Sequence, residues 1–331
     1  MTHRFTLEPY KGLNTRYTCP NCNQQRCFSH YIDLAKTINF PNHVGRCNRE
    51  QKCGYHFKPK DFFAQKSNIN NTFLNYKDLT NSIKCQTLKP SFIDIQMVNR
   101  TLTNYSENKL FQFLSSKLGS SVTIQLMQRY LVGTANHWQG STVFWQVDFD
   151  LHIRTGKIIL YSSKTGRRIK KPFNHITWVH SLLHSEEFNL KQCFFGEHLL
   201  LLDTIRPVAI VESEKSALVA SYYLPQFLWL ATGGKNGCFR QENLKVLQGR
   251  NVVLFPDLGA TEYWNQKTCM MKDIGIEVIV FDYIEKSATP EQRNEGYDIV
   301  DFLLETKQPK VNLQSIIEEN KVLKLLIKGI G

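Results

Sequence analysis

From Pro207 onward the chain alternates short apolar runs with amphipathic stretches, and this alternation restricts the fold more than any other feature. Residues 207–211, 227–231, 251–255 and 277–281 read as strands. Residues 215–224, 261–273, 297–305 and 313–327 read as helices. Strands separated by helices pair in parallel, so the pattern predicts an α/β domain with a parallel sheet. The carboxyl edge of such a sheet is where ligands bind. Two acids stand at that edge. Glu212 follows the run Val208-Ala209-Ile210-Val211, and Asp257 follows Val252-Val253-Leu254-Phe255-Pro256. Asp298 and Asp301, three residues apart at a helix start, add two more carboxylates. Carboxylates gathered at one place repel unless a cation bridges them, and Mg²⁺ prefers such oxygen ligands together with substrate phosphates. Glu212, Asp257 and Asp298 are therefore the candidate catalytic acids, with Asp301 as a further magnesium ligand. A single acid at a strand end also serves as a helix N-cap, and Asp298 is well placed for that role.

The first 63 residues are rich in cysteine, histidine and aromatic residues, with turn residues throughout. Cys19-Pro-Asn-Cys22 and Cys47-Asn-Arg-Glu-Gln-Lys-Cys53 form two thiol pairs that can close one tetrahedron around structural Zn²⁺. Cys27, His30, His43 and His56 are alternative ligands, because the second pair is more widely spaced than usual. Zinc binding supplies folding energy that so short a module lacks. Nine cysteines make an odd count for a disulfide framework, and the paired spacings fit a reducing, cytoplasmic setting. No run of 18 or more apolar residues and no apolar leader is present, so no membrane association is expected. Residues 64–90, rich in Asn, Ser, Thr and Lys, read as a linker.

Residues 91–204 form a middle, α+β segment. Leu110, Phe111, Phe113, Leu114 and Leu118 follow a helical period that Val122, Leu126 and Met127 continue. Residues 142–161 change to strand chemistry, with Arg154-Thr155-Gly156 as a plausible hairpin turn. Charge is uneven along the chain. Lys and Arg outnumber Asp and Glu by 14 to 5 in residues 1–90 and by 7 to none in 151–175; they trail by 16 to 20 in 176–331. A polyanion held by the two basic regions, facing a cation in the acidic one, accounts for that asymmetry. The candidate phosphate-binding side chains are Arg154, Lys157, Arg167, Arg168, Lys170 and Lys171 from the acid-free block, with Lys215 and Lys235. Lys235 lies in the turn Thr232-Gly233-Gly234-Lys235-Asn236-Gly237, whose amides either cradle a phosphate or make a plain turn.

These motifs resemble a known family. Glu212-Ser213-Glu214-Lys215-Ser216-Ala217-Leu218 resembles the first motif of the TOPRIM domain, an acid followed by a helix. Phe255-Pro256-Asp257-Leu258-Gly259 resembles its D-x-D motif, and Asp298-Ile299-Val300-Asp301 the acidic segment that follows in primases. Tyr130-Leu131-Val132-Gly133, Lys171-Pro172-Phe173-Asn174 and Phe195-Gly196 are similar to successive landmarks of the bacterial primase core. Phe-Trp-Gln-Val-Asp, Arg-Thr-Gly-Lys and Cys-Gly-Tyr-His resemble zinc-ribbon TOPRIM proteins of Bacteroidota mobile elements. The resemblance implies a zinc ribbon followed by a primase-type core ending in a TOPRIM sheet (residues 205–308) and a C-terminal helix (309–331). It further implies single-stranded DNA and nucleotides as ligands, Mg²⁺ or Mn²⁺ as cofactor, a replicative helicase as partner, and primer synthesis in replication or transfer of a mobile element. Two positions depart from it: Gly259 stands where D-x-D has its second acid, and Ser216 where the first motif ends in an acid. A non-catalytic DNA-binding accessory protein and a TOPRIM nuclease are the competing expectations.

Overall fold

The structure, a computed structural model, describes residues 4–49, 53–67, 89–183, 188–234 and 237–304, with only the backbone of 64–67. The helix expected at 313–327, most of the expected linker, and Lys235 lie outside these residues. The chain divides into two compact units, Met1–Lys89 and Pro90–Gly331.

The first unit is an antiparallel sheet in the order β1 (Phe5–Leu7), β2 (Phe28–Asp33), β3 (Gly45–Cys47), β4 (His56–Phe57), followed by helix α1 (Pro59–Ser67). The helix thus runs four residues into the segment expected to be linker. Its cysteine-centred cluster is small: Cys19, Cys27, Phe28 and Cys47 are buried, with Tyr17, Cys22, Cys53 and Tyr55 packed around them. Asp33, at the end of β2, pins the β1 edge. It accepts from Arg4 Nε at 2.9 Å and from the backbone N–H groups of Ala35, Thr37 and Ile38. The Arg4 guanidinium and these donors hold its carboxyl well below the usual range.

The second unit begins with helices α2 (Ile95–Thr101), α3 (Lys109–Leu118) and α4 (Ser120–Arg129). The helical stretch is broken where Asn104 and Gly119 take positive φ, at 54° and 84°. Asn108 caps α3: its Oδ1 accepts from the N–H groups of Leu110 and Phe111 at 3.0 and 3.1 Å. The same buried side chain accepts from Thr142 Oγ1 and donates to the Gly133 carbonyl, so one residue fixes the helix to two strands.

Those strands belong to an antiparallel sheet, β5 (Val132–Ala135), β6 (Ser141–Val147), β7 (Ile153–Ile159) and β8 (Ile176–Trp178), in that order. The turn between β6 and β7 is Asp148–His152, not Arg154-Thr155-Gly156. Leu151 takes the left-handed conformation there, with φ 64°. Gly156 lies within β7 opposite Trp145, and a Cβ on it would come within 2.9 Å of both Val143 Cγ2 and the Trp145 ring. The glycine therefore answers to tryptophan packing rather than to turn geometry.

The second sheet is parallel, as the alternation predicts. Its strands are β9 (Val208–Val211), β10 (Leu228–Ala231), β11 (Asn251–Leu254) and β12 (Glu277–Val280), in the order β10-β9-β11-β12. Helices α6 (Glu214–Tyr223) and α8 (Thr261–Asp273) connect them; the short helix α5 (Val179–Leu182) follows β8 and α7 (Gln241–Leu244) precedes β11. All four residues of β9 are fully buried, as expected of a central strand covered on both faces. The parallel sheet and the helices α3 and α4 share one continuous core, and Tyr130 Oη donates to the Trp229 carbonyl at 3.1 Å across it. The whole is a mixed α/β chain with a small zinc-ribbon-like start. Among the described residues no helix is long and apolar enough to cross a membrane.

Glu197 is a buried acid in this core. Its two oxygens accept from the backbone N–H groups of Phe149 and Phe194, at 3.1 and 3.0 Å. Burial nonetheless pushes its carboxyl up from 4.5 to about 7. Between those values the folded chain keeps a proton that the unfolded chain has lost. Stability should therefore fall as pH rises through this window, by on the order of 3 kcal/mol from this group. Urea midpoints near pH 5 and near pH 8 measure the fall. Glu197→Gln should flatten it, and an unchanged slope in that variant would refute the assignment.

Candidate functional sites

The four thiols expected to hold zinc converge. Cys19 and Cys22 lie before β2, Cys47 ends β3, and Cys53 precedes β4. Their sulfurs all lie within 4.8 Å of one another, with Cys19–Cys53 at 3.7 Å and Cys22–Cys47 at 4.0 Å. Zn–S bonds of about 2.3 Å put tetrahedral sulfurs about 3.8 Å apart, so the set fits structural zinc. The wide second spacing works because the N–H of Cys53 returns to the Arg49 carbonyl and that of Cys47 bonds the Tyr55 carbonyl. The side-chain amide of Asn21, then the N–H of Tyr55, hold the Cys53 thiol down to about 6, whereas burial pushes that of Cys47 up. The alternative ligands are placed otherwise. Cys27 donates its thiol to the Gln24 carbonyl at 3.1 Å and touches the set at one sulfur, Cys47 Sγ at 3.7 Å; His30 stacks on Tyr17, His56 on Tyr31, and His43 packs against Phe57.

The second unit carries a cleft of about 670 Å³ between the two sheets. Glu212 and Asp257 enter it from the carboxyl ends of the adjacent parallel strands β9 and β11. Asp298 and Asp301 come from the start of α11 (Ile299–Leu304), which follows the short helices α9 (Tyr283–Ser287) and α10 (Pro290–Glu295). Burial, then the charges of Glu212, Asp298 and Asp301, push the Asp257 carboxyl up to about 8, and Lys215 only partly offsets them. An all-oxygen set with this much mutual repulsion is chemically suited to a divalent cation. Among the described residues no three of these carboxylates bring their oxygens within 4.8 Å of one another. A cation here would complete its shell with substrate oxygens.

Asp298 also caps its helix. Its Oδ1 accepts from the N–H groups of Val300 and Asp301, and Asp301 Oδ2 accepts from the N–H of Asp298. The capping role weighed from sequence is thus present together with the position in the cleft. Ser216, which the sequence resemblance sets at an acidic position, donates its hydroxyl to Asp298 Oδ2 at 2.7 Å. Gly259, in place of the second acid of D-x-D, takes φ 78° and donates its N–H to Glu285 at 2.7 Å. Glu214 and Glu262, the other acids near these positions, are placed otherwise. Glu214 is committed to Lys157, and Glu262 is an exposed residue of α8.

The facing wall is basic: Arg167, Arg168, Lys170 and Lys171 lie in the segment between β7 and β8, and Lys215 projects from α6. Arg167 pairs with Glu295 at 2.8 Å at the rim. Two of the expected phosphate-binding residues are occupied differently. Arg154 is buried, salt-bridged to Asp148 at 2.5 Å and set over the Phe92 ring; it is not on the cleft wall. Arg154 falls where the β6–β7 register slips, between the pairs Gln146–Thr155 and Val147–Ile153, and there it meets Asp148 instead of the cleft, which a charge count does not show. Lys157 does reach the cleft, but its Nζ lies 3.0 and 3.1 Å from the Glu214 oxygens and 2.9 Å from the Gly233 carbonyl. It ties the antiparallel sheet to the glycine turn. Tyr161, Glu295 and Gly296 also line the cleft, and sequence reasoning missed them because nothing local marks them as neighbours of the acids.

Comparison with known proteins follows this division. The family profile of a zinc beta-ribbon finger matches residues 3–68, and that of the domain of unknown function DUF6371 matches residues 108–258, less than half of the chain. By sequence, no curated protein matches. Among solved structures the chain is similar to the DnaG catalytic core, with a TM-score of 0.40 and 9% identity, over 70% of this chain and 90% of that one. The zinc-binding and RNA polymerase domains of Aquifex aeolicus primase give 0.38 and 12%, over 98% and 81%. The primase fragment of the bacteriophage T7 primase-helicase gives 0.35 and 11%, over 85% and 98%. At these scores none of them assigns a role to a residue here.

Proposed function

We propose that this chain is a primase-like protein that binds single-stranded DNA and, with Mg²⁺ or Mn²⁺, joins nucleotides into primers. The observation that carries the reading is the pairing of Glu212 and Asp257 at the ends of adjacent parallel strands, opposite a wall of arginines and lysines. In this reading Glu212, Asp257 and Asp298, with Asp301, would close in on the cation as it binds, since no three of them bring their oxygens within 4.8 Å of one another beforehand. The bound cation would polarise the phosphate under attack and favour ionisation of the attacking 3′-hydroxyl. Arg168, Lys171 and Lys215 would neutralise triphosphate and template phosphates, and the glycine turn with Lys235 would add amide donors. The sheet that carries Glu212 and Asp257 would be a TOPRIM domain. Replication or transfer of a mobile element, beside a replicative helicase, is the setting the sequence resemblance implies.

A second reading, a non-catalytic DNA-binding protein on the same scaffold, is favoured by Gly259 and Ser216 at acidic motif positions. One experiment separates the two. The native chain and Asp257→Asn are incubated with single-stranded DNA, all nucleotides and Mg²⁺ or Mn²⁺. Primers made by the native chain and lost at least 100-fold in the variant support the enzyme. Equal DNA binding by both, with no product from either, leaves the binding protein. Shortened DNA instead of primers indicates a TOPRIM nuclease.

A further inference from the structure

The basic wall of the cleft ends in an aromatic stack that the proposed chemistry does not use. Phe173 follows Lys170 and Lys171 by three and two residues and is 55% exposed. Its ring lies on that of His175, with centroids 4.3 Å apart and planes 22° from parallel. His175 is buried, pairs its Nδ1 with the Ile169 carbonyl at 3.3 Å, and meets the edge of Trp138 at 5.1 Å. Trp138 packs on the second hydrophobic cluster, and the exposed His137 meets it edge-on at 4.4 Å. The stack is therefore anchored at its base and open at its top.

Single exposed apolar residues are ordinary on protein surfaces. Phe173 differs in being held by a face-to-face partner, which removes much of the rotamer entropy that a new contact would otherwise cost. It also differs in its neighbours. Residues 151–175 contain seven lysines and arginines and no acid, and Lys170, Lys171 and Arg168 line the cleft. An aromatic face beside a track of cations is what an unpaired strand of nucleic acid requires: cations for the phosphates and a flat ring for a base. A protein partner would call for a broader apolar surface than one ring among lysines.

We propose that the Phe173–His175–Trp138 stack is a base-stacking platform for single-stranded nucleic acid on its path along the basic wall. The proposal rests on the reading of the cleft as a nucleic-acid site and names how the strand is held there. The test compares two labelled oligonucleotides of equal length, oligo(dT) and a fully abasic strand with the same phosphates. The native chain should bind oligo(dT) more tightly than the abasic strand. Phe173→Ala should weaken oligo(dT) binding roughly tenfold, as loss of one aromatic–base stack does. It should leave abasic binding and its salt dependence unchanged. Phe173→Trp should restore the difference. Because the side chain is exposed, the melting temperature of Phe173→Ala should match the native chain. Equal affinities of native and Phe173→Ala for oligo(dT) would overturn the platform while leaving the nucleic-acid site standing. No binding of either strand by the native chain would overturn both.

Discussion

Cys47→Ser should leave residues 1–67 unable to hold zinc and largely unfolded. Cys47 is 1% exposed and one of only four fully enclosed residues in the cysteine-centred cluster of that unit, three of which are cysteines. Without the ion, the small aromatic group of Phe5, Phe40, Phe62 and Phe63 is left to offset chain entropy. Apparent zinc-binding energies of about 10–16 kcal/mol in comparable small modules exceed anything the four short strands supply alone. Zinc content by mass spectrometry should fall from one ion per chain to none. Tryptic cleavage after Arg16, Arg26 and Lys36 should accelerate by at least tenfold. Cys27→Ser should keep the zinc, since that thiol is bonded to the Gln24 carbonyl outside the set of four. Loss of zinc in Cys27→Ser, with retention in Cys47→Ser, would invert the ligand assignment.

Lys157→Met should destabilise the second unit by about 3–5 kcal/mol, the usual cost of leaving one partner of a buried ion pair uncompensated. Glu214 is 2% exposed, and its two oxygens have Lys157 Nζ as their shared donor at 3.0 and 3.1 Å. The Gly233 carbonyl would lose the same donor. Combining Lys157→Met with Glu214→Gln should recover much of the loss, because the stranded charge is then removed. A double-mutant cycle in urea measures the coupling. Additive losses would show that the pair contributes no more than two separate packing contacts. The pair joins β7 of one sheet to α6 beside the other, so its rupture should also loosen the glycine turn. Amide hydrogen exchange at Gly233 and Gly234 should then rise.

Much of this molecule is legible in its sequence because the responsible forces are local. The alternation beginning at Pro207 yields four parallel strands at nearly the expected bounds, and the helix Thr261–Asp273 matches its expected limits. Apolar runs of four residues have few ways to be buried, and a crossover helix leaves parallel pairing as the outcome. The position of Glu212 and Asp257 at the sheet edge follows from the same pattern. The two thiol pairs likewise point at each other because a thiolate set has few other uses at that spacing.

What local pattern does not carry is the partner of each charged group. Arg154 and Lys157 look alike in the sequence as members of one basic block. Strand register sends the first to Asp148 and the second to Glu214. Nothing near Ser216 shows that its hydroxyl reaches Asp298, 82 residues on. Nor do the residues around Phe173 announce Trp138, which comes from the loop between β5 and β6. The sequence by itself determined the strand–helix order, the zinc ligands' spacing and the acids at the sheet edge, since these depend on periodicity and on neighbours within a few residues. Only the tertiary structure decided which cations face the cleft and which are spent on buried acids: Lys157 meets an acid 57 residues away, and Arg154 reaches Asp148, six residues back, across the β6–β7 turn.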